Sequence, residues 1–170
     1  TLLGLGVDKG EPFNYRAENL LQEINSSFGT NNAVKLYKYL PGSREWQAHT
    51  LGNGNDDNFP IVPGEGYFIL SKTAGTVTIF GNKRTTTTSI VIPDGWSLIS
   101  IYTNHPGQTG YSLLREMRNY QGIDARYLAR WTGTEYEITS YTDTDTFTIR
   151  PGGGFWIYNA GQTKTFQSIL

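Results

Sequence analysis

Two pairs of aromatic residues are the first candidates for chemistry in this chain. Tyr39 with Trp46, and Trp131 with Tyr136, are spaced so that the members of each pair face each other across a β-hairpin. Exposed rings of this kind stack on the faces of sugars, so these four residues are candidate ligand-binding residues for a carbohydrate. Cross-strand packing that covers a core is the simpler interpretation and is favoured, because aromatic pairs also stabilise hairpins.

Two polar loops carry oxygen-bearing side chains at alternate positions. The first loop places Asn53, Asn55 and Asp57 in this pattern, and the second places Asp143 and Asp145. Calcium takes about six to eight oxygen ligands, which such side chains and nearby carbonyls can supply. Neither loop completes the helix-loop-helix calcium pattern, so a solvated turn is favoured over a metal site. Calcium is the one candidate cofactor, with these five residues as its ligands.

Histidines and carboxylates predict no catalytic site. His49 and His105 are the only histidines, and they belong to no recognisable zinc or nucleophile motif. Glu23 and Glu116 follow the same Leu-Leu-x-Glu pattern, but nothing identifies a pair of carboxylates flanking one cleft, as a glycosidase needs. The chain has no cysteine, which excludes disulfides, thiolate zinc sites and cysteine nucleophiles. The sequence therefore predicts a protein that is not an enzyme.

A stretch that occurs twice organises the elements around these residues. Residues 59–69 and 147–157 share Phe, Ile, Pro, Gly, Gly, two aromatic residues and Ile in the same order. The dipeptides Pro63-Gly64 and Pro151-Gly152 predict turns, and the aromatic residues that follow predict a central strand with apolar groups on both faces. A glycine-rich phosphate cradle is disfavoured because a helix would have to follow the glycines.

Each copy also contains a short helix and a hairpin. The first helix is predicted from about Tyr15 to Ile24 with Asn14 as its cap, and the second begins after the cap Thr109. In each copy a strand, a loop and a return strand follow the helix, and this order predicts the two aromatic hairpins. The apolar stripes of the helices are Leu20, Leu21 and Ile24, and Leu113, Leu114 and Met117.

The ends of the two copies differ. Threonine-rich closing strands are predicted at residues 76–80 and 163–166, and the second copy has a lead-in strand at residues 89–92 that the first copy lacks. We expect that equivalent residues lie before Thr1, in a larger protein, or that the C-terminal strand supplies the missing partner.

These elements predict an α+β fold, mostly antiparallel β, of two tandem pseudo-twofold-related repeats with one short helix each. Residues 1–82 form the first repeat, without its lead-in strand, residues 83–88 a connector and residues 89–170 the second repeat. A single fused domain is the alternative, since 170 residues suit either organisation.

The amino-acid composition excludes two classes of binding partner, nucleic acids and membranes. The formal net charge is -1, so the protein has no excess of positive charge with which to bind nucleic acid or an anionic membrane. No apolar run approaches the roughly 20 residues of a membrane helix, so no membrane insertion is predicted. The chain begins with Thr1 and shows no signal peptide, which suggests a processed protein or a fragment.

The turn Pro93-Asp94-Gly95, the strand Trp96-Ser97-Leu98-Ile99-Ser100-Ile101, the Leu-Leu helix, the aromatic hairpin and the Pro-Gly-x-Gly-aromatic stretch together resemble a tandem module. Such modules occur in large secreted or cell-surface proteins of bacteria and archaea. The resemblance implies an extracellular or cell-surface location and flanking domains of a larger polypeptide. It carries over no functional residue.

Two classes of non-catalytic function follow from these observations. The first is an extracellular accessory module that acts in adhesion, scaffolding or surface attachment, with another surface protein or a polysaccharide as partner. The alternative is a carbohydrate-binding module that uses exposed Trp and Tyr. A small hydrolase with an unrecognised site is the least favoured hypothesis.

Overall fold

A computed structural model describes residues 1–5, 7, 9–10, 14–28, 31–54, 57–82, 87–102, 107–144 and 146–168. These residues form two four-stranded antiparallel sheets, one two-stranded sheet and two short helices. The predicted α+β class with mostly antiparallel strands is therefore confirmed.

The first sheet and its helix come from the N-terminal part of the chain. The elements are β1 (Leu2–Gly4), α1 (Ala17–Phe28), β2 (Ala33–Leu40), β3 (Glu45–Thr50) and β4 (Gly66–Ser71). The strands lie in the order β1-β4-β2-β3, and β3 is the return strand of the first aromatic hairpin.

The remaining elements form the other two sheets. They are β5 (Thr88–Ile92), β6 (Gly95–Ser100), α2 (Gly110–Gln121), β7 (Ala125–Trp131), β8 (Tyr136–Ser140), β9 (Gly154–Asn159) and β10 (Lys164–Ser168). The second sheet has the order β6-β9-β7-β8, and β5 pairs with β10. The strands predicted at the twice-occurring stretch, β4 and β9, are interior strands of their sheets, as expected.

Each four-stranded sheet carries its helix on one face. The apolar stripe of α1 is fully buried against Leu36 of β2 and Tyr67 of β4, and the stripe of α2 against Leu128 of β7 and Ile157 of β9. The two stripes agree with the prediction. A 12-residue helix is marginal in water, so burial of this stripe is what holds it.

The two helices begin differently. Thr109 caps α2 as predicted: its side chain accepts a hydrogen bond from Ser112 N at 3.2 Å, and Ser112 Oγ accepts one from Thr109 N at 2.9 Å. In contrast, α1 begins at Ala17, so the predicted Asn14 cap lies outside the helix. Asn58, a residue from the loop before β4, accepts a hydrogen bond from Glu18 N instead.

The predicted strand at residues 76–80 is wrong. This segment forms no strand, whereas the closing strand of the chain, β10, pairs with β5 over five residues. Val77 and Ile79 pack against the first core, and the segment is held to α1 by hydrogen bonds from Ser27 to Thr78 O and from Phe80 N to Glu23. Threonine and β-branched residues favour a strand, but in the described residues no second strand lies beside this segment.

The two four-stranded sheets meet at β1 and β6, close to the two Pro-Gly turns. Gly4 N donates to Gly152 O at 2.8 Å, and Ser100 N donates to Gly64 O at 2.9 Å. Gly64 and Gly152 have positive φ angles of 91° and 77°, which the predicted turns require. Isolated bridges join Leu3 to Gly153 and Glu65 to Ile99.

Close approach at this junction depends on glycine. A Cβ added at Gly4 would lie 1.7 Å from Ser100 Oγ, and one added at Gly66 would lie 2.8 Å from Ile99 O. No side chain fits at either distance, so the sheets are joined through bare backbone. Residues 83–86 of the predicted connector lie outside the described residues, and the division into repeats stays a prediction.

Candidate ligand-binding cleft

The helix-free faces of the two four-stranded sheets are rich in aromatic side chains. Side chains of a strand alternate between faces, so the neighbours of a buried core residue point away from the helix. Around the buried Leu36, these neighbours are Tyr37 and Tyr39. Around the buried Ile157, they are Trp156 and Tyr158.

The predicted hairpin pairs are present. Tyr39 lies opposite Trp46 in the β2–β3 ladder, with 5.3 Å between ring centroids, and Trp131 lies opposite Tyr136 in the β7–β8 ladder, with 4.9 Å. Both pairs meet in edge-to-face geometry, which aromatic rings prefer over direct face-to-face stacking.

The structure brings the two hairpins together through Trp156 of β9. Its ring centroid lies 5.0 Å from that of Tyr39 and 5.7 Å from that of Trp46, and its Nε1 donates to Tyr136 OH at 3.3 Å. All four predicted rings therefore belong to one connected cluster that spans both sheets. Sequence reasoning missed Trp156 because it read that residue as part of a core strand.

We call the space between these faces the aromatic cleft. It consists of two adjoining grooves of about 470 and 380 Å³ that share Trp46 and Tyr136. The lining residues are Tyr37, Tyr39, Trp46, Phe68 and Leu70 from the first sheet and Trp96, Ala129, Tyr136, Ile138 and Trp156 from the second.

The rings of the cleft remain accessible although they pack on one another. Trp46 is 48% exposed and Tyr136 46% exposed, and Ile138 beside them is 59% exposed. Rings that served only to cover a core would lose more of their surface to it. The cleft therefore presents flat apolar surfaces with a few hydroxyl and indole N–H groups at their edges.

Carboxylate, histidine, lysine and arginine side chains are absent from the lining of the two grooves as far as the described residues define it. The polar atoms there belong to tyrosine hydroxyls and tryptophan N–H groups, which are hydrogen-bonding groups. Chemically, the cleft can stack rings and exchange hydrogen bonds.

The predicted calcium loops place their side chains on protein partners where they are described. Asp57 Oδ1 lies 3.2 Å from His49 Nδ1, and Asp143 accepts a hydrogen bond from Ser140 N at 2.6 Å. Asn53 donates its backbone N–H to Thr50 O, and Asn55 and Asp145 lie outside the described residues. No group of three or more histidine, aspartate and glutamate side chains in the described residues is placed so that it could hold a metal ion, and calcium binding stays a prediction.

His49 lies in the first core, fully buried between two carboxylates. Its Nε2 is 2.7 Å from Glu18 Oε2 of α1, on the opposite ring edge from Asp57. Burial raises the pKa of Glu18, but hydrogen bonds from His49, Gly52 N and Gln22 outweigh it and hold that pKa below its ordinary value of 4.5. No serine or threonine hydroxyl of the described residues bonds to His49, so this cluster lacks a nucleophile. His105 lies outside the described residues.

Glu23 and Glu116, which share a sequence pattern, bind different partners. Glu23 binds Lys9 and Tyr15. Burial of the Tyr15 hydroxyl raises its pKa, and the hydrogen bond to the negatively charged Glu23 raises it further. Glu116 accepts a hydrogen bond from Gln108 at 3.1 Å on the second helix. They do not flank a common cleft.

Comparison with protein families, with curated proteins and with solved structures found no significant match. Within the described residues, both helices have 12 residues, and neither reaches the length and hydrophobicity of a bilayer-spanning helix.

Proposed function

We propose that this protein is a non-catalytic accessory module of an extracellular or cell-surface protein, and that it attaches to polysaccharide through the aromatic cleft. The observation that carries the proposal is the joining of Tyr39, Trp46, Trp156 and Tyr136 into one accessible surface. Sugar rings present C–H groups on their faces and hydroxyls at their edges. The cleft offers aromatic faces for the former and tyrosine and indole groups for the latter.

A role in adhesion or scaffolding fits the same geometry. The sheets are tied by reciprocal backbone hydrogen bonds at the Pro-Gly turns, which favours one fixed orientation of the cleft walls. A fixed cleft loses little conformational freedom when a ligand binds, so its rings contribute more of their contact energy to affinity.

We further infer that the chain is a tandem duplication of one pseudo-twofold-related unit. In both four-stranded sheets the first strand pairs with the fourth, the fourth with the second and the second with the third. The pairs Phe59–Tyr67 and Phe147–Phe155 both stack at 6.1 Å between ring centroids. Gly4 N donates to the turn of the second sheet, and Ser100 N donates to the turn of the first sheet. This exchange of equivalent hydrogen bonds is what a twofold relation requires.

Polysaccharide titration tests the binding function. The intact protein is titrated with a panel of neutral and acidic polysaccharides by calorimetry and tryptophan fluorescence. We expect Trp46→Ala and Tyr136→Ala each to weaken binding about tenfold or more, because each removes a central ring of the cleft.

Tyr120→Ala is the matched control for these variants. Tyr120 is an 84% exposed tyrosine on α2, whose helix packs on the opposite face of the second sheet. Circular dichroism verifies that each variant is folded. Equal binding by all variants, or no binding to any polysaccharide, would refute the proposed ligand, and turnover of a chromogenic glycoside or ester panel would refute the non-catalytic assignment.

A further inference from the structure

A second groove lies beside Trp131, the last residue of β7. It has a volume of about 320 Å³, and its polar lining comes from Arg130, Thr132, Thr148 and Arg150. We call it the arginine groove. Trp131 also contacts Tyr136, which lines the aromatic cleft, so one pair of rings lies between the two sites.

The matching place in the first sheet contains a carboxylate. Glu65 lies directly before β4 and bridges to Ile99, and Gly153 lies directly before β9 and bridges to Leu3. Glu65 Oε2 is 2.8 Å from Lys38 Nζ and accepts a hydrogen bond from Tyr67 OH at 2.8 Å. The first sheet thus supplies its own anion to this place.

The second sheet lacks an acidic side chain at the place of Glu65 and carries one further positive charge, at Arg150. Arg130 occupies the place of Lys38, one residue beyond the Ala129–Trp156 pair as Lys38 is one beyond Tyr37–Phe68. Glycine replaces the glutamate at position 153. A Cβ there would lie 2.8 Å from Phe155 Cζ, so that buried ring leaves no room for a side chain at this position.

The charges around the groove do not cancel. Arg130 is paired with Glu137, whose Oε2 lies 2.7 Å from its Nε and 2.6 Å from an amino nitrogen. Arg150 is exposed, and no carboxylate of the described residues lies within ion-pair distance of it. Among the described residues, the groove therefore keeps one guanidinium, that of Arg150, without a carboxylate partner beside the ring of Trp131.

The geometry points to a subsite for the carboxylate of an acidic sugar in the arginine groove. Arg150 binds the carboxylate of a uronic acid residue, the ring of Trp131 packs against the sugar, and Thr132 and Thr148 border the hydroxyls. A guanidinium binds a carboxylate through charge-assisted, two-point hydrogen bonds, which neutral sugars cannot form. This inference rests on the proposed polysaccharide-binding function and adds the class of sugar to it.

The experiment compares a polyuronate with a neutral polysaccharide on the intact protein. Arg150→Gln and Arg150→Glu are expected to weaken polyuronate binding about tenfold or more, and to leave neutral polysaccharide binding unchanged. Sodium chloride is expected to weaken polyuronate binding to the unmodified protein and to have little effect on Arg150→Gln. Lys164→Glu is the control for Arg150→Glu, because it makes the same change of charge at an exposed residue on β10.

The outcomes separate the subsite from the proposed function. Polyuronate binding that is insensitive to Arg150 but sensitive to Trp46→Ala overturns the subsite and leaves the polysaccharide function standing. Full competition by inorganic phosphate at matched ionic strength overturns the assignment to a uronic acid, since the groove would then bind any anion. Absence of binding to both polysaccharides overturns both proposals.

Discussion

The buried His49 illustrates how single residues in this protein depend on their surroundings. An imidazole with a carboxylate at each nitrogen is held in place by Glu18 from α1 and Asp57 from the loop before β4. Glu18 also accepts hydrogen bonds from Gly52 N and Gln22. The cluster therefore ties the helix, the hairpin and the loop of the first half to one buried polar side chain.

Removal of the Glu18 charge is expected to change how stability depends on pH. A carboxyl whose pKa is lowered on folding stabilises the protein above its ordinary pKa and loses that contribution as pH falls through the folded value. The free energy of unfolding should therefore decrease as pH falls below about 4.5 in the unmodified protein. In Glu18→Gln we expect a loss of about 1 kcal/mol at pH 7 and a shallower decrease in acid.

Urea unfolding at a series of pH values measures this effect. Glu135→Gln serves as the control, because Glu135 lies on the exposed tip of the second hairpin. A pH profile of Glu18→Gln that coincides with that of the unmodified protein would show that the hydrogen bonds to Glu18 contribute nothing to stability.

At the scale of elements, residues 76–80 and β10 show that propensity does not decide strand formation. The sequence predicts both segments to be closing strands, and both turn apolar side chains toward a core. β10 forms a ladder because β5 lies beside it, whereas residues 76–80 are bonded mainly by side chains of α1. A strand requires a neighbouring strand, and this requirement is not encoded in the segment itself.

Amide hydrogen exchange is expected to distinguish these two segments. Ladder amides of β10 should exchange slowly, because their N–H groups open only when the β5–β10 sheet opens. The amides of Thr76 and Thr78 should exchange orders of magnitude faster, while Phe80, whose N–H donates to Glu23 at 2.9 Å, should be partly protected. Protection at residues 76–80 equal to that of β10 would mean that this segment is paired in solution.

At the scale of the whole molecule, the junction between the sheets is built on a complementary choice of side chains. Gly4 pairs with Gly66 in the first sheet, and Ser100 pairs with Gly154 in the second. Gly4 and Ser100 face each other across the junction so closely that only one of them can carry a side chain. If the two halves are copies of one unit, the serine side chain at position 100 can be exchanged for the glycine at position 4.

We expect Gly4→Ala to destabilise the protein by about 3 kcal/mol, because the new methyl group overlaps Ser100. Exchange of the two residues, in the double variant Gly4→Ser with Ser100→Gly, should restore most of this loss, leaving about 1 kcal/mol for the flexibility of the new glycine. Chemical unfolding of Gly4→Ser, of Ser100→Gly and of the double variant gives the coupling energy.

Gly42→Ala is the control for these glycine variants. An added Cβ at Gly42 meets no atom within 4 Å, and its φ is not positive, so we expect little change in stability. Additive losses from the two exchanged residues would contradict both the steric explanation and the twofold relation that we propose.

The amino-acid sequence by itself determined much of the local structure. Periodicity identified the buried stripes of both helices, hydroxyl chemistry identified the Thr109 cap, and Pro-Gly pairs identified the turns at Gly64 and Gly152. These features are set by residues within one or two turns of each other, so short-range rules suffice to find them. The cross-strand partners Tyr39 and Trp46 follow from hairpin length in the same way.

Only the tertiary structure decided which residues from distant segments meet. Asn58 bonds to the start of α1 from 40 positions away along the chain, and Trp156 contacts both Trp46 and Tyr136, which are 90 positions apart. The absence of a strand at residues 76–80 has the same origin. Contacts of this kind depend on how the packed sheets approach each other, and that approach is controlled by bare backbone at Gly4 and Gly66, whose neighbours no local pattern specifies.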